Sequence, residues 1–225
     1  MSILKKIKKM KNKTPYIIGI LLFVLAGCSS SDYTPKPRAY LRIDLPEKSY
    51  QHLQSDTLPY FFEYPEYSEV VSAPKTNNPN SKYWINLDFP SLNGTIHLTY
   101  NRLDSEQQLY AYVDSSYQAM FTIHKDKITG INERAYEDME NQVYGTLYEL
   151  RGTRVASPYQ FYITDKKEHF VRGALYFNMQ PNNDSLAPVI DYVKKDIEHL
   201  MSTLRWITVS DKKTFNEYQQ KVFIK

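Results

Sequence analysis

The chain has 225 residues and one cysteine, Cys28, which stands at the close of an apolar run near the N-terminus. A single cysteine excludes an intrachain disulfide and a multi-thiolate metal site, so the fold must rest on its core alone. Lys5, Lys6, Lys8, Lys9, Lys11 and Lys13 form a basic head without an acidic residue, Ile17 to Leu25 are apolar apart from Gly19, and Ala26-Gly27 are small. This order of basic, apolar and small-residue regions is that of a secretory leader. The uncharged stretch from Thr14 to Ala26 is shorter than the roughly 20 apolar residues that a membrane-spanning helix needs.

Leu25-Ala26-Gly27-Cys28 resembles the lipobox of bacterial lipoproteins, in which the cysteine sulfur is acylated and cleavage makes that cysteine the new N-terminus. The resemblance implies that Cys28 is the lipidation site and that the chain's first partner is a membrane, held through an N-terminal lipid anchor. Each buried CH₂ of an acyl chain is worth ~0.8 kcal/mol, so two or three chains hold a protein durably on a bilayer. The expected organisation is a leader at 1–27, a lipidated tether at 28–37, one domain at 38–210 and a tail at 211–225. The tether (Ser29–Pro37) is polar and proline-bearing, and the tail is polar apart from Val222-Phe223-Ile224. That tail is expected to be loosely ordered or to pack as a short edge segment. The leader carries six of the 28 basic residues and none of the 25 acidic ones, so from Cys28 onward 22 basic face 25 acidic residues. A slightly acidic chain gives no electrostatic footprint for nucleic acid.

Strand patterns come in sets. Leu58–Tyr67 is aromatic and proline-bearing. In "YWINLDFP", Ile85, Leu87 and Phe89 alternate with Trp84, Asn86 and Asp88; in "TIHLTY", Ile96, Leu98 and Tyr100 alternate with Thr95, His97 and Thr99. Asn93-Gly94 between them predicts a tight hairpin turn, because both residues tolerate positive φ. A second set covers Asn141–Leu150, Pro158–Asp165 and Glu168–Phe177, the last two joined by the polar turn Asp165-Lys166-Lys167. Twenty tyrosines fit half-buried pleated surfaces; an aromatic platform for glycans is the sharper alternative.

Two helices frame the second set. Leu109, Val113, Tyr117, Met120 and Phe121 recur at helical spacing between Ser105 and His124, with Asp104 or Ser105 as cap. Ile190, Val193, Ile197, Leu200, Met201 and Leu204 make an apolar stripe from about Leu186 to Trp206, with Asp184-Ser185 as a cap and Pro188 in the first turn. Strands broken by one internal and one terminal helix predict an α+β fold, a mainly antiparallel β-sheet flanked by helices. The order of elements is similar to a PsbP/Mog1-like α/β/α sandwich.

Candidate chemistry is sparse. There is no Gly-x-Ser-x-Gly elbow or supported Ser-x-x-Lys, and acylation would remove the thiol. His52, His97, His124, His169 and His199 form no His-x-x-x-His or Glu-x-x-His pair, although His97 and His169 lie in strand patterns and could meet across a sheet. No glycine-rich loop opens a helix. The expectation is no catalytic residue, no metal, no cofactor and no small-molecule substrate. Gly145 and Gly173 sit in mid-strand, which predicts a bulge, an aromatic packed over the glycine, or a docked partner backbone. Asp56-Thr57-Leu58 and Asp184-Ser185-Leu186 look like the three-residue O-glycosylation motif of Bacteroidetes periplasmic proteins.

Longer segments carry a more specific likeness. "YTPKPRAYLRIDLPEKSY" (33–50), "PYFFEYPEY", "WINLDFPSLNGTIHLTY" (84–100), "VYGTLYEL", "ASPYQFYITD", "HFVRGALYFNMQPNNDSLAPVI" and "DIEHLMSTLRW" together resemble the gliding-motility-associated lipoprotein GldD family of Bacteroidetes. The resemblance implies a protein required for gliding and for the associated type IX secretion machinery, with other envelope proteins of that machinery as partners and no known enzymatic activity. Its one transferable position is the lipidated cysteine, Cys28. Surface-exposed lipoproteins of these bacteria carry several acids just after the cysteine, whereas Ser29-Ser30-Ser31 follow here with only Asp32 acidic nearby. The expected location is the cell envelope, on the outer membrane and facing the periplasm. Loops such as Pro74–Lys82 or the sheet itself are the expected contact surfaces.

Overall fold

The computed structural model describes residues 44–207; the leader, Cys28, the tether and the tail at 211–225 lie outside the described residues. In chain order the strands and helices are β1 Tyr50–His52, β2 Tyr60–Phe61, β3 Glu63–Pro65, β4 Glu69–Ser72, β5 Ile85–Phe89, β6 Gly94–Arg102, α1 Glu106–His124, β7 Gly130–Asp138, β8 Val143–Arg151, β9 Tyr159–Thr164, β10 His169–Phe177, α2 Asn183–Thr203 and β11 Arg205–Trp206. Seven strands form one antiparallel sheet in the order β4-β5-β6-β10-β9-β8-β7, while β1 pairs with β3 and β2 with β11. After β6, α1 carries the chain to the far edge, and β7 to β10 return strand by strand until β10 lies beside β6. The α+β class expected from the order of elements is the one observed.

The period of two decides which side chains meet which helix. Ile85, Leu87, Phe89, Ile96, Leu98 and Tyr100 are buried on one face, together with Leu147, Phe161, Ile163, Val171 and Leu175. Val189, Val193, Ile197, Leu200 and Met201 of α2 close over them. Each such aliphatic residue contributes about 1.5–3 kcal/mol when fully buried. On the opposite face Met120 of α1 packs with Tyr148, Leu150 and Val155. The result is a helix–sheet–helix sandwich with a thick front core and a thin back one.

Several local expectations are corrected. Asn93-Gly94 is not a two-residue hairpin loop: Pro90–Leu92 make a 3-10 turn that Asn93 ends at φ 50°, and only Asn93 takes positive φ. Helix α2 begins at Asn183, about one turn earlier than predicted, so Asp184-Ser185 lie in its first turn and do not cap it. The loop after β8 does the capping work, since Asn183 donates its backbone N–H to Thr153 O and its Nδ2 to Gly152 O and Val155 O. Pro188 therefore sits inside the helix, where its missing N–H removes one bond. The helix ends at Thr203, and Arg205–Trp206 turn away to pair with β2. Helix α1 is capped by Ser105, whose Oγ accepts from Gln108 N–H, as anticipated. Its stripe is weaker than the spacing suggested: Met120 and His124 are buried, whereas Phe121 is 45% exposed.

The two mid-strand glycines have one explanation each. A Cβ on Gly173 would stand 2.1 Å from Phe161 Cζ, so an aromatic ring fills the space, which is one of the anticipated reasons. A Cβ on Gly145 would stand 2.2 Å from the Tyr162 carbonyl oxygen, so the neighbouring strand of the same sheet makes the close approach.

One polar node fastens the start of the described chain to α2. Asp196, its side chain 1% exposed, accepts from Lys48 Nζ at 2.6 Å, from Tyr50 OH at 2.9 Å and from Tyr67 OH. Lys48 Nζ also lies 3.6 Å from the centre of the Tyr192 ring, whose hydroxyl donates to Pro46 O. Burial, and then the hydrogen bond to Asp196, push the Tyr50 and Tyr67 phenols well above their ordinary value.

Candidate functional site

An open cleft of about 880 Å³ lies at one end of the sheet, where β6, the β9–β10 turn, the β7–β8 turn, the Pro79–Tyr83 3-10 turn and β11 converge. Sequence distance hides this convergence, because the antiparallel order alone brings the end of β6 beside the start of β10. Arg102 stands opposite His169 in that pairing.

The floor is a continuous line of rings. Tyr83 meets Tyr100 edge-on at 5.3 Å, Tyr100 lies 5.9 Å from His169, and His169 stacks on Trp206 at 4.9 Å with 10° between planes. Polar atoms of three of these rings are engaged within the protein. Tyr100 OH lies 2.9 Å from His169 Nδ1, and Trp206 Nε1 donates to Gln142 O at 3.2 Å. Burial pushes the Tyr100 phenol up and the His169 imidazole down. At neutral pH both groups are therefore uncharged, and the imidazole tautomer sets which of the two donates.

The rim is cationic and rigidly built. Asp165 Oδ1 accepts the backbone N–H groups of Lys167, Glu168 and His169 at 2.8–2.9 Å, while Lys166 takes φ 64°. Thr164 Oγ1 closes the same turn by donating to His169 O at 2.6 Å. This turn aims Lys167 along the cleft, with its Nζ 3.0 Å from Gln142 Oε1. Arg102 stands 3.9 Å from both Asp104 and Glu168, largely in solvent, and Arg205 leans to Asp138 at 3.8 Å. Lys82 Nζ lies 4.8 Å from the centre of the Tyr83 ring. Among the described residues, Lys82 and Lys167 have no ion-pair partner.

The predicted contact loop, Pro74–Lys82, supplies one wall through Pro79, Asn80 and Lys82. His97 and His169 do not meet: His97 pairs with Ala174 and bonds Asn86 Oδ1 at 2.9 Å, five register positions from His169. No group of three metal-ligating side chains occurs among the described residues. Thr57 is exposed at the cleft and Ser185 is exposed in the first turn of α2. Tyr110 alone among the described tyrosines is exposed, at 65%; the others are buried or half-buried, as expected of a tyrosine-rich sheet.

Sequence reasoning missed the cleft. Trp206 falls at the end of the predicted last helix, Lys167 in the predicted polar turn, and no pattern in the sequence singles out Arg102. The one local signal was the compact polar turn at Asp165-Lys166-Lys167.

Three histidines make stability sensitive to acid. Burial lowers His97, His124 and His169 from the ordinary value of 6.5, with Lys127 adding to the effect at His124. As pH falls through 6.5 the unfolded chain takes up protons that the folded chain still refuses, so stability is lost on acidification. His124 is fully buried, and neither ring nitrogen has a hydrogen-bond partner among the described residues. Urea unfolding of His124→Leu should show a flatter dependence between about pH 7 and 5 than the parent; an unchanged slope would refute this role.

The fold and the cleft define a helix–sheet–helix domain with an open cleft lined by aromatic and cationic side chains. The chain matches the family model "Gliding motility lipoprotein GldD" over residues 30–206, and it belongs to that family. It is thus a lipoprotein associated with gliding motility and anchored in the cell envelope by lipid. Among solved structures it is similar to the solution structure of cyanobacterial PsbP (CyanoP) from Synechocystis sp. PCC 6803, at 15% identity and a TM-score of 0.46, covering 72% of this chain and 95% of that one. No curated protein matches the chain.

Proposed function

We propose that this lipoprotein is anchored through Cys28 and acts as a non-enzymatic scaffold or stabilising component of the gliding apparatus and its associated type IX secretion machinery. It stands on the outer membrane and faces the periplasm. The match to the gliding-motility family, which begins two residues after Cys28, carries this reading. The cleft supports it: Tyr100 OH and His169 Nδ1 are hydrogen-bonded to each other, and the surrounding rings and cations are suited to grip a partner. A single domain, 38–210, does this work, between the tether and the tail. A second reading, a periplasmic glycan- or peptidoglycan-binding lipoprotein, is favoured by the stacked His169 and Trp206 rings beside Asn80 and Asn141.

Complementation of a strain lacking the gene tests both readings. Cys28→Ala should abolish acylation, move the protein out of the membrane fraction and stop gliding. An acylated, membrane-retained variant would refute the anchor. Retention of the purified lipoprotein on peptidoglycan or oligosaccharides would favour the second reading, since a pure scaffold retains neither.

A further inference from the structure

We propose that the cleft receives an acidic peptide segment of a partner protein, one that sets an apolar side chain on the ring floor and carboxylates against Lys82, Arg102 and Lys167. The proposal rests on the scaffold reading and gives its contact a chemistry.

Charge carries the argument. From Cys28 onward the chain has more acids than bases, yet four cations line the cleft against two carboxylates; Asp104 and Asp138 stand against Arg102 and Arg205 from outside it, and Lys82 and Lys167 have no ion-pair partner among the described residues. One of the two, Asp165, is taken up by three backbone N–H groups of its own turn. The other, Glu168, shares Arg102 with Asp104 across 3.9 Å. A cationic surface on an acidic protein favours an anionic occupant, and guanidinium and ammonium groups on an exposed rim suit carboxylates. The floor fixes the rest of the ligand. Tyr100 is buried beneath the cleft, and the half-buried Tyr83, His169 and Trp206 rings above it, with the indole N–H of Trp206 engaged within the protein, offer apolar contact. At about 880 Å³ the space suits an extended stretch of several residues. The chain's own tail fits poorly, because residues 208–225 carry Lys212, Lys213, Lys221 and Lys225 against Asp211 and Glu217.

Selection of random peptides by the full-length lipoprotein in detergent tests this. Enriched peptides should carry two or more Asp or Glu flanking an aromatic or aliphatic residue. A labelled peptide of that pattern should bind about tenfold more weakly to Arg102→Gln/Lys167→Gln. Its affinity should also fall as salt rises from about 0.1 M to 1 M, which shortens the Debye length from about 10 Å to 3 Å. Thermal melting checks that the variant is folded. As a second variant, Arg102→Glu/Lys167→Glu should reverse the preference toward basic peptides. Enrichment of uncharged or basic peptides, no enrichment, or displacement of the peptide by neutral or anionic oligosaccharides would overturn the proposal. In-cell crosslinking from the cleft reads the scaffold function separately: a partner captured there without an acidic segment would sink the ligand chemistry and leave the scaffold standing.

Discussion

Replacing Asp196 by alanine is expected to destabilise the protein by about 3–5 kcal/mol, the range for removing one partner of a buried ion pair. The carboxylate is closed to solvent and holds three donors from two separate stretches of chain: Lys48 and Tyr50 on one side of β2, and Tyr67 on the other. Without it both phenols lose this acceptor, and the Lys48 ammonium keeps the Tyr67 hydroxyl, the Tyr192 carbonyl and the Tyr192 ring. Lys48→Met should cost less, about 1–3 kcal/mol, because the two phenols still donate to Asp196. The double replacement Lys48→Met/Asp196→Leu should recover much of the loss, since an apolar pair of similar volume leaves no stranded charge. Urea unfolding of the three variants measures this. A loss below about 1 kcal/mol for the alanine variant would mean that the node does not hold the segment.

Gly145→Ala is expected to cost about 3 kcal/mol or more, at or above the upper end of overpacking effects. The added Cβ would meet a backbone oxygen, Tyr162 O, at 2.2 Å, and that atom is fixed by the β8–β9 ladder. Only separation of the strands relieves the contact. Gly173→Ala meets the Phe161 ring instead, and a smaller ring-site residue gives way: Gly173→Ala/Phe161→Leu should be more stable than Gly173→Ala alone. No second-site change at a side chain should rescue Gly145→Ala in the same way. Gly130 is the control, because nothing lies within 4 Å of a Cβ there. Equal melting temperatures for the Gly145 and Gly130 alanine variants would contradict the close approach of β8 and β9.

What was legible in the sequence follows from where side chains are sorted by water. β5 and β6 alternate because one face is sealed by α2, so Ile85, Leu87, Ile96 and Leu98 announce themselves. β7 was not legible: Glu133, Arg134, Glu137 and Asp138 ride on an edge strand whose side chains are mostly exposed, and no alternation forms. Such charges suit an unpaired edge. β1, β4 and β11 are too short for a period to register. The start of α2 was misplaced because its cap comes from the distant loop at Gly152–Val155 and not from its own neighbours. The cleft is the extreme case. Tyr100, His169 and Trp206 are each ordinary in their local context and become a site only when the sheet order sets β10 beside β6 and β11 turns back to β2.

The most direct measurement is photocrosslinking in gliding cells from an unnatural residue at Lys82, on the cleft rim, with Tyr110 on α1 as the comparison position. The account predicts a discrete protein adduct from position 82 that weakens with Arg102→Gln/Lys167→Gln, disappears with Cys28→Ala and has no counterpart at position 110. Adducts from position 110 with none from position 82, in cells that still glide, would contradict it.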